Sequence, residues 1–338
     1  MPRASAHPRA WTPFSIREVA TGFQASRVLL TAVELRVFGL IAGHGLTSAD
    51  VAARAGSDPR ATDRLLHALC AMELLDKRQG GFWNTPDSRR YLDDSSPEYA
   101  AGLGHTVSMW RAWSNLTDAV REGKPAPRES INDRGDEWLA PFIAAMHYRA
   151  AQQAPRVADL LGLAGVARAL DVGGGSGAFA MAFARRQPGL SAVVFDLPNV
   201  VPLTQKYIAD AALTSRVTTA VGDYLVDPLP GGFDLVFLSA VVHSNSPAEN
   251  AALLRSCTAA LKAGGRIAIV DFVMDDDRVT PEGGAFFALN MLVATDHGDT
   301  FTDAEIRGWM SAAGLAAGPR VETGFGTSIV VGIKGTRD

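Results

Sequence analysis

A glycine-rich loop in the second half of the chain is the first feature suited to chemistry. The segment reads Asp171-Val172-Gly173-Gly174-Gly175-Ser176-Gly177 and stands between an apolar run and a helical pattern. Glycines at such a position let a ligand lie directly against the backbone, where any Cβ would collide. Gly173, Gly175 and Ala178 also fit the dinucleotide fingerprint G-x-G-x-x-A. The loop alone therefore indicates an adenosine cofactor and leaves open which one.

Acidic residues around this loop favour a cationic cofactor over NAD. Asp171 stands at the loop entrance, where its carboxylate can pair with an ammonium group, which S-adenosylmethionine has and NAD lacks. A pyrophosphate, in contrast, prefers an acid-free loop at a helix N-terminus. Asp196 ends the next predicted strand, where a carboxylate can accept hydrogen bonds from ribose hydroxyls. Gly222 and Asp223 follow the third predicted strand and place a second acid beside the expected adenine.

These residues follow strands in a region that alternates between strand and helix patterns. After Gly165 this alternation predicts a mainly parallel sheet. A helix with a capping box at Ser246 and Pro247 at its first position is expected to end at Gly264-Gly265. The predicted strands are Ala169–Val172, Ser191–Leu197, Val217–Val221, Phe233–Ser239, Arg266–Val273 and a closing strand at Thr327–Lys334.

Composition limits the class of protein. The 338 residues are 47% hydrophobic with a formal net charge of −4, which predicts about two domains and excludes a disordered chain. No apolar stretch approaches the roughly 18 residues of a membrane span, and Met1–Trp11 lacks the apolar run of a secretory signal. Cys70 and Cys257 fall in apolar helical patterns, which favours buried thiols in a reducing compartment. We therefore expect a soluble, cytoplasmic protein that does not bind membranes.

The first hundred residues have the pattern of a winged helix. A capping box at Thr47–Asp50 and the segment Ser57-Asp58-Pro59 each begin a helix, and Asp76–Trp83 resembles two short strands around a glycine turn. A winged helix can bind DNA, which would make the chain a ligand-sensing regulator. Residues 1–100, however, carry 12 Lys and Arg against 11 Asp and Glu, and phosphate binding needs a concentrated positive face. We expect a packing or dimerisation role and no nucleic-acid partner.

The loop, the segment Phe195-Asp196-Leu197-Pro198 and the pair Gly222-Asp223 resemble the class I S-adenosylmethionine-dependent methyltransferases. From about Ser15 to Lys334, the order of elements resembles the family of plant caffeate and flavonoid, acetylserotonin and bacterial polyketide O-methyltransferases. The resemblance implies an α/β fold with a Rossmann-like seven-stranded sheet whose last strand is antiparallel. A mostly helical winged-helix domain, through which the family forms homodimers, precedes it.

Three parts of the chain follow from this reading. Residues 1–100 are the winged-helix dimerisation domain, and residues 101–163 are a helical connector that contributes to the substrate pocket. Residues 164–338 are the methyltransferase domain. The resemblance places the S-adenosylmethionine contacts on Asp171, Gly173, Gly175, Gly177, Asp196, Leu197, Gly222, Asp223, Tyr224 and Ser239. Plant members often hold a lysine over the adenine at the position of Ser239.

The resemblance also implies how the acceptor reacts. His243 follows the fourth predicted strand, where the family has the general base that takes the proton from the acceptor hydroxyl. A phenol with a pKa near 10 is a poor nucleophile, whereas its phenolate attacks a sulfonium methyl group readily. Asp271 matches the first of two acids that flank the family's base. Thr300 occupies the position of the second acid, and Asp299 beside it is a possible substitute.

The expected acceptor is a small aromatic hydroxyl compound, phenolic or polyketide-like. Soft methionine and aromatic walls suit a flat, largely apolar molecule. The predicted acceptor contacts are Met146, His105, Asn290, Met291 and Thr295.

Other enzyme classes stay open at this stage. His243 and His297, with Asp271, Asp296 or Asp299, could supply two imidazoles and a carboxylate to a metal, as in relatives that methylate the carbon next to a keto acid using bound iron. The alternatives are thus a C-methyltransferase acting on a keto acid or similar carbon acid, with or without a metal, a dehydrogenase, and the DNA-binding regulator. We favour an S-adenosylmethionine-dependent O-methyltransferase that needs no metal.

Overall fold

The computed structural model describes residues 10–129, 131 and 134–336. It contains two compact units, one up to Val107 and one from Ser108. Residues 1–9 of the predicted N-terminal domain and residues 337–338 of the predicted methyltransferase domain lie outside the described residues. The three-part division with boundaries after residues 100 and 163 stays a prediction. None of the helices in the described ranges is long and apolar enough to cross a membrane.

The first unit has the predicted pattern of helices followed by a hairpin. Thr47 and Asp50 form the expected capping box, and Asp58 caps the helix that begins at Pro59. Its elements are α1 (Pro13–Thr21), α2 (Phe23–Glu34), α3 (Val37–Ile41), α4 (Ser48–Ala55), α5 (Pro59–Ala71), β1 (Leu75–Arg78), β2 (Gly81–Asn84) and α6 (Pro86–Tyr91). Helix α7 (Leu103–Trp113) begins in this unit and ends in the second.

The second unit alternates strands and helices as the sequence predicts. Its elements are α8 (Leu116–Glu122), α9 (Asp136–Leu161), β3 (Arg168–Val172), α10 (Ala178–Arg186), β4 (Ser191–Asp196), α11 (Val201–Asp210), β5 (Val217–Val221), β6 (Phe233–Ser239), α12 (Pro247–Ala260), β7 (Leu261–Asp271), β8 (Val273–Met274), α13 (Glu282–Ala294), β9 (Phe301–Thr302), α14 (Asp303–Ala312), β10 (Leu315–Ala317), β11 (Val321–Glu322) and β12 (Ser328–Lys334). Several predicted strand boundaries agree to within one or two residues.

The central sheet confirms the expected topology. Its strand order is β10, β12, β7, β6, β3, β4, β5, and the five strands from β3 to β7 in chain order are parallel. Strand β12 runs antiparallel to β7, with Ser328 opposite Asp271. The two-residue strand β11 pairs with β12 beside this path. Because the strand order reverses at β3, the chain leaves the sheet in opposite directions there, and such a switch point opens a crevice for ligands.

Apolar side chains alternate between the two faces of the sheet. On β6, Leu235 and Phe237 join a core cluster with α9 and α10, whereas Val236 and Leu238 join a cluster with α12 and α14. Strands buried on both faces are nearly continuous apolar runs, which is why the sequence predicts them well. Burial on both faces makes the sheet a rigid base for the loops at its carboxyl edge.

One predicted boundary is wrong. Helix α12 ends at Ala260 and β7 begins at Leu261, so Gly264 and Gly265 lie inside the strand instead of ending the helix. The register of β6 and β7 shifts between Phe233 and Leu235, and the extra residues of β7, including the glycine pair, form this irregular stretch. The ammonium of Lys334 donates to the carbonyls of Thr258 and Leu261 at 2.7 Å each, which satisfies the end of the helix without a glycine cap.

Candidate active site

The glycine loop joins β3 to α10 in a conformation that needs glycine. Gly173, Gly175 and Gly177 have φ angles of +63°, +56° and +74°, in the left-handed region that other residues rarely adopt. The backbone N–H of Gly173 donates to the carbonyl of Phe195 at 2.8 Å, which ties the loop to β4. A Cβ on Gly173 would lie 3.0 Å from a methyl group of Val241. The loop therefore presents backbone at close range to any ligand beside it.

Asp171 enters this loop as a buried carboxyl group. Its Oδ2 accepts a hydrogen bond from the backbone N–H of Ala180 at 3.3 Å. Among the described residues, its Oδ1 is buried without a hydrogen-bond partner. Burial, with a smaller contribution from the nearby charge of Asp196, raises the pKa of Asp171 to about 7. A buried acceptor without a donor costs free energy, so the site fits a cationic group that supplies one.

Asp196 anchors the loop from the end of β4. Its Oδ2 accepts from the N–H of Gly175 at 2.7 Å and its Oδ1 from the N–H of Leu197 at 2.8 Å. Burial raises the pKa of Asp196, and these two hydrogen bonds oppose the rise. Each carboxylate oxygen has a second acceptor position. The side chain can therefore hold the loop and still accept a hydrogen bond from a ribose hydroxyl.

The remaining predicted cofactor positions lie at the ends of β5 and β6. Gly222 follows β5, and a side chain there would overlap the ring of Phe195. Asp223 accepts from the N–H of Leu225 at 2.9 Å. The hydroxyl of Tyr224 donates to Asn245 Oδ1 at 3.2 Å, and burial raises the pKa of this phenol. Ser239, half-buried, ends β6. The structure thus gathers these residues at the same edge of the sheet as the glycine loop.

Helix α9 contacts the glycine loop through a residue that the sequence analysis missed. The Nδ1 atom of His147 lies 2.8 Å from the hydroxyl of Ser176, and the imidazole stacks on Tyr207 with ring centroids 4.2 Å apart. Burial lowers the pKa of His147, so the neutral ring is favoured. Its neighbour in sequence, Met146, was the only residue here that the family resemblance marked.

His243 and Asp271 form a buried hydrogen-bonded pair. His243 lies in a 3₁₀ turn, Val242–Ser244, after β6, and Asp271 ends the adjacent strand β7. Nδ1 of His243 and Oδ1 of Asp271 are 2.7 Å apart, and the residues are only 8% and 2% exposed. Since a carboxylate can only accept, Nδ1 carries the proton and Nε2 carries the free electron pair. Nε2 makes no hydrogen bond to any residue in the described ranges.

Two further contacts fix the turn that carries His243. Asn250 of α12 donates to the carbonyl of Val242 at 2.8 Å, and its Oδ1 accepts from Asn245 at 3.1 Å. On the other side, the N–H of Asp299 donates to the carbonyl of His243 at 3.0 Å. Asn245 also bonds Tyr224, so one chain of hydrogen bonds connects a predicted cofactor residue to the turn of the base. The sequence gives no motif for Asn250.

An aromatic wall stands beside the base. The ring of Phe287, on α13, meets the His243 imidazole edge to face with centroids 4.8 Å apart. Phe272 stacks on Phe287 at 4.1 Å, and the guanidinium carbon of Arg149 lies 5.6 Å from the Phe272 ring centre. The sequence analysis missed all three of these neighbours, because a phenylalanine in an apolar segment has no positional signature before the fold is known.

The predicted acceptor residues are distributed over three helices and one turn. Met146 is half-buried on α9 and Met291 is buried on α13. Asn290 accepts from the indole N–H of Trp113 at 3.0 Å. The hydroxyl of Thr295 donates to the carbonyl of Met291 at 2.7 Å and accepts from Gly298, so it fixes the turn after α13. His105 is half-buried on α7, in the first unit. Their roles toward an acceptor stay predictions.

The side chain of the suggested second acid, Asp299, bonds groups other than the base. The carboxylate of Asp299 accepts from the N–H of Thr300 at 2.7 Å and lies 3.5 Å from the guanidinium of Arg278. Its side chain makes no hydrogen bond to His243 among the residues described. His297 is exposed. In the described part of the chain, no cluster of three or more His, Cys, Asp or Glu side chains is suited to a metal ion, so the donor set of the metal-assisted alternative is not assembled.

Strand order, glycine loop and carboxyl-edge acids define the class of S-adenosylmethionine-dependent methyltransferases. Within that class, the chain belongs to the O-methyltransferase family. The O-methyltransferase domain of that family matches residues 113–316, and its O-methyltransferase dimerisation domain matches residues 17–94. The enzyme is therefore an S-adenosylmethionine-dependent O-methyltransferase.

Individual relatives agree with this assignment. The chain is 35% identical to the 3-hydroxy-5-methyl-1-naphthoate 3-O-methyltransferase of Streptomyces sahachiroi, with 91% of each chain covered. An O-methyltransferase family protein from Burkholderia thailandensis has a similar structure, with a TM-score of 0.85 at 30% identity over 97% of this chain and 100% of that one. Human N-acetylserotonin methyltransferase in complex with SAM gives a TM-score of 0.82 at 28% identity over 98% of this chain and 100% of that one.

The site fits the cofactor on its own geometry. The partnerless Oδ1 of Asp171 provides an acceptor for an ammonium group, and the three left-handed glycines leave room that a Cβ would fill. A loop lined by buried carboxyl groups disfavours a pyrophosphate and suits a cationic nucleoside derivative.

Proposed function

We propose that this enzyme methylates a hydroxyl group on a small aromatic or polyketide-like acceptor, with His243 as the general base. The observation that carries the proposal is the 2.7 Å contact between His243 and Asp271, which leaves Nε2 able to accept a proton. A neutral imidazole with a free Nε2 can take a proton from a phenol as the new bond forms.

When bound, S-adenosylmethionine supplies a methyl group on a sulfonium sulfur, the electrophile of the reaction. His243 Nε2 accepts the proton of the acceptor hydroxyl, and the acceptor oxygen uses the released electron pair to bond the methyl carbon. The bound cofactor would keep the electron pair of the broken S–C bond, so the products would be a methyl ether and S-adenosylhomocysteine, and His243 would hold the proton. Asp271 stabilises the resulting imidazolium through its hydrogen bond to Nδ1.

The cofactor role is assigned to the residues around the glycine loop. Asp171 would pair with the ammonium group, and Asp196 would accept hydrogen bonds from the ribose hydroxyls while it holds Gly175. Asp223, Tyr224 and Ser239 would surround the adenine at the ends of β5 and β6. Their common position at the carboxyl edge of the sheet supports this assignment.

An aromatic acceptor is supported by the wall beside the base. Phe272 and Phe287 stack within 4.1 Å, and Phe287 touches His243, so a flat ring packed here would have its hydroxyl near Nε2. Met291 adds a polarizable apolar surface on the same helix as Phe287. The Streptomyces sahachiroi relative, named for a bicyclic aromatic hydroxyl acceptor, is consistent with this class.

The proposed partner in assembly is a second copy of the chain. Helix α1 has no buried residue, and Phe14, Ile16 and Val19 on it are exposed, as is Phe23 at the start of α2. Large apolar side chains exposed this close together in the sequence mark an interaction surface, and they lie at and just before the start of the matched dimerisation domain. Sedimentation equilibrium tests the proposal: the wild type should be a dimer, and Phe14→Asp with Val19→Asp should shift it toward monomer.

The reaction is tested by incubating the enzyme with S-adenosylmethionine and a panel of phenols, naphthols and keto acids. Mass spectrometry should detect products heavier by one methylene unit from the phenols or naphthols, and NMR should place the new methyl group on oxygen. A methyl group on carbon, or turnover of the keto acids alone, would contradict O-methylation of an aromatic hydroxyl.

A further inference from the structure

Arg149 places a positive charge at the aromatic wall of the proposed acceptor site. It lies three residues after Met146 on α9, so the two side chains share one face of the helix. Its guanidinium carbon is 5.6 Å from the centre of the Phe272 ring, within cation–π distance. Phe272 stacks on Phe287, which contacts His243. The charge therefore stands one pair of aromatic rings away from the proposed base.

Among the described residues, Arg149 has no acidic partner. Within residues 10–129, 131 and 134–336, no carboxylate lies in ion-pair distance of Arg149, and its guanidinium makes no hydrogen bond. Two other arginines of the same unit are paired: Arg278 with Glu305 at 2.6 Å, and Arg320 with Asp275 at 2.7 Å. The five N–H donors of Arg149 are thus available to a ligand.

Arg149 is partly desolvated although it is exposed to solvent. The residue is exposed to solvent, yet partial burial lowers the pKa of its guanidinium, and the negative charge of Asp271 opposes that shift. Exposure together with desolvation arises when protein surrounds a side chain on several sides but leaves one side open. In the described structure Asp271 forms no ion pair with Arg149, and its Oδ1 bonds His243.

We propose that Arg149 recognises an anionic substituent of the acceptor, and that the acceptors are aromatic hydroxy acids. The inference rests on the proposed O-methylation of an aromatic hydroxyl at this site. A guanidinium binds a carboxylate through two parallel hydrogen bonds and also packs on aromatic faces. An acceptor with its ring on the phenylalanine wall and its hydroxyl at His243 would place a carboxylate on a distal ring position within the reach of this flexible side chain.

The proposal is tested by equilibrium binding, which does not depend on turnover. Isothermal titration calorimetry of the full-length enzyme saturated with S-adenosylhomocysteine compares 3-hydroxy-1-naphthoate with its neutral primary amide. The wild type should bind the naphthoate more tightly. Arg149→Gln should weaken binding of the naphthoate by about 10- to 100-fold, as expected for loss of hydrogen bonds between charged groups. Binding of the amide should change little.

Two matched variants separate charge recognition from a structural role. Arg149→Lys keeps the charge without the planar fork and should retain part of the preference for the naphthoate. Arg156→Gln removes an exposed arginine from the same helix and should leave both affinities unchanged. The wild type and the three variants should bind S-adenosylmethionine with the same affinity. A distorted α9 would change that affinity, so this measurement checks that the helix is intact.

Several results would overturn the inference: equal affinity of the wild type for acid and amide, no binding of the naphthoate, or equal weakening of both ligands in Arg149→Gln. Its failure is distinguishable from failure of the proposed reaction. Methylation of the amide and the acid without any charge preference would overturn the inference alone. Charge-selective binding that depends on Arg149, without any O-methylated product from phenols or naphthols, would overturn the proposed reaction alone.

Discussion

The cofactor side and the acceptor side of this enzyme are built by different means. The proposed cofactor side is built around backbone: three left-handed glycines, and N–H groups that bond the side chains of Asp171 and Asp196. Its residues follow successive parallel strands. The proposed acceptor side consists of side chains from α9, α13 and the turn after β6, which contact one another through rings and one hydrogen-bonded pair.

This difference has a functional meaning. A site made of backbone is common to every sequence that adopts the fold, and it suits a cofactor that does not vary. A site made of side chains changes with each substitution while the sheet stays the same. Substitutions on the cofactor side should therefore alter binding of S-adenosylmethionine, and substitutions on the acceptor side should alter turnover or acceptor choice. Four predictions test that separation, beginning with the largest expected effect.

His243→Ala should separate turnover from cofactor binding most clearly. Removal of a general base lowers the rate by about 10² to 10⁴-fold, so kcat with a phenolic acceptor should fall by this amount. Affinity for S-adenosylmethionine, measured by calorimetry, should stay unchanged. His297→Ala removes an exposed histidine as a control and should keep full activity. Unchanged turnover in His243→Ala would show that His243 is not the general base and that catalysis rests on the positioning of acceptor and cofactor.

Gly174→Ala should have the converse effect. The added Cβ would lie 2.7 Å from the carboxyl carbon of Asp171 and 2.8 Å from a methyl group of Val194. Overpacking of this kind costs about 1–3 kcal/mol, which corresponds to a loss of roughly 10- to 100-fold in cofactor affinity. Gly189→Ala is the matched control, since in the described structure no atom lies within 4 Å of a Cβ there. Equal affinities for the two variants would show that the loop adapts.

Asp171→Asn should weaken cofactor binding and remove its pH dependence. In the free protein the pKa of Asp171 is raised to about 7, and a cationic ligand requires the ionised form. Affinity of the wild type should thus fall by up to about tenfold for each pH unit below 7, whereas Asp171→Asn should show a low and nearly constant affinity. A parallel pH profile for both proteins would assign the titration to another group.

The same group gives a signed prediction for stability. The folded-state pKa of Asp171 is above the unfolded value of about 4, so the folded cofactor-free protein binds more protons between pH 4 and pH 7. The contribution of Asp171 to stability is therefore lost as the pH rises through this window. Asp171→Asn should unfold at a higher urea concentration than the wild type at pH 8, and this gain should shrink at pH 5.

Asn250→Ala should produce the smallest change, on the acceptor side. The buried amide holds the carbonyl of Val242 and the side chain of Asn245, and leaving such groups without partners costs about 1–3 kcal/mol. We expect a lower melting temperature and a several-fold lower kcat, because the turn of His243 loosens, with unchanged cofactor affinity. Asn115→Ala, at an exposed position, should change neither value. A large loss of cofactor affinity would show that the bond between Asn245 and Tyr224 couples the two sides.

The two sides also differ in how far the sequence predicts them. The glycine loop and Asp196 were placed correctly at strand ends because strand periodicity and glycine spacing are local properties of the chain. His243 and Asp271 were paired through the family resemblance, and adjacent parallel strands bring them into contact. Phe287, Phe272 and Arg149 could not be predicted, since their proximity depends on how α9 and α13 pack. The end of α12 was missed because Lys334, far along the chain, satisfies its carbonyls in place of a glycine.

Helix α9 makes contacts with both sides within two of its turns. His147 contacts the hydroxyl of Ser176 in the glycine loop, and Arg149 lies over the ring of Phe272. Gln153 accepts a hydrogen bond from the hydroxyl of Thr327, just before β12. Each residue turns the helix by about 100° and advances it by 1.5 Å. A single inserted or deleted residue between positions 147 and 153 would rotate the later contacts away from their partners together. Substitutions of side chains along α9 can therefore change which acceptors this enzyme binds, whereas an insertion or deletion in the helix would disrupt its contacts.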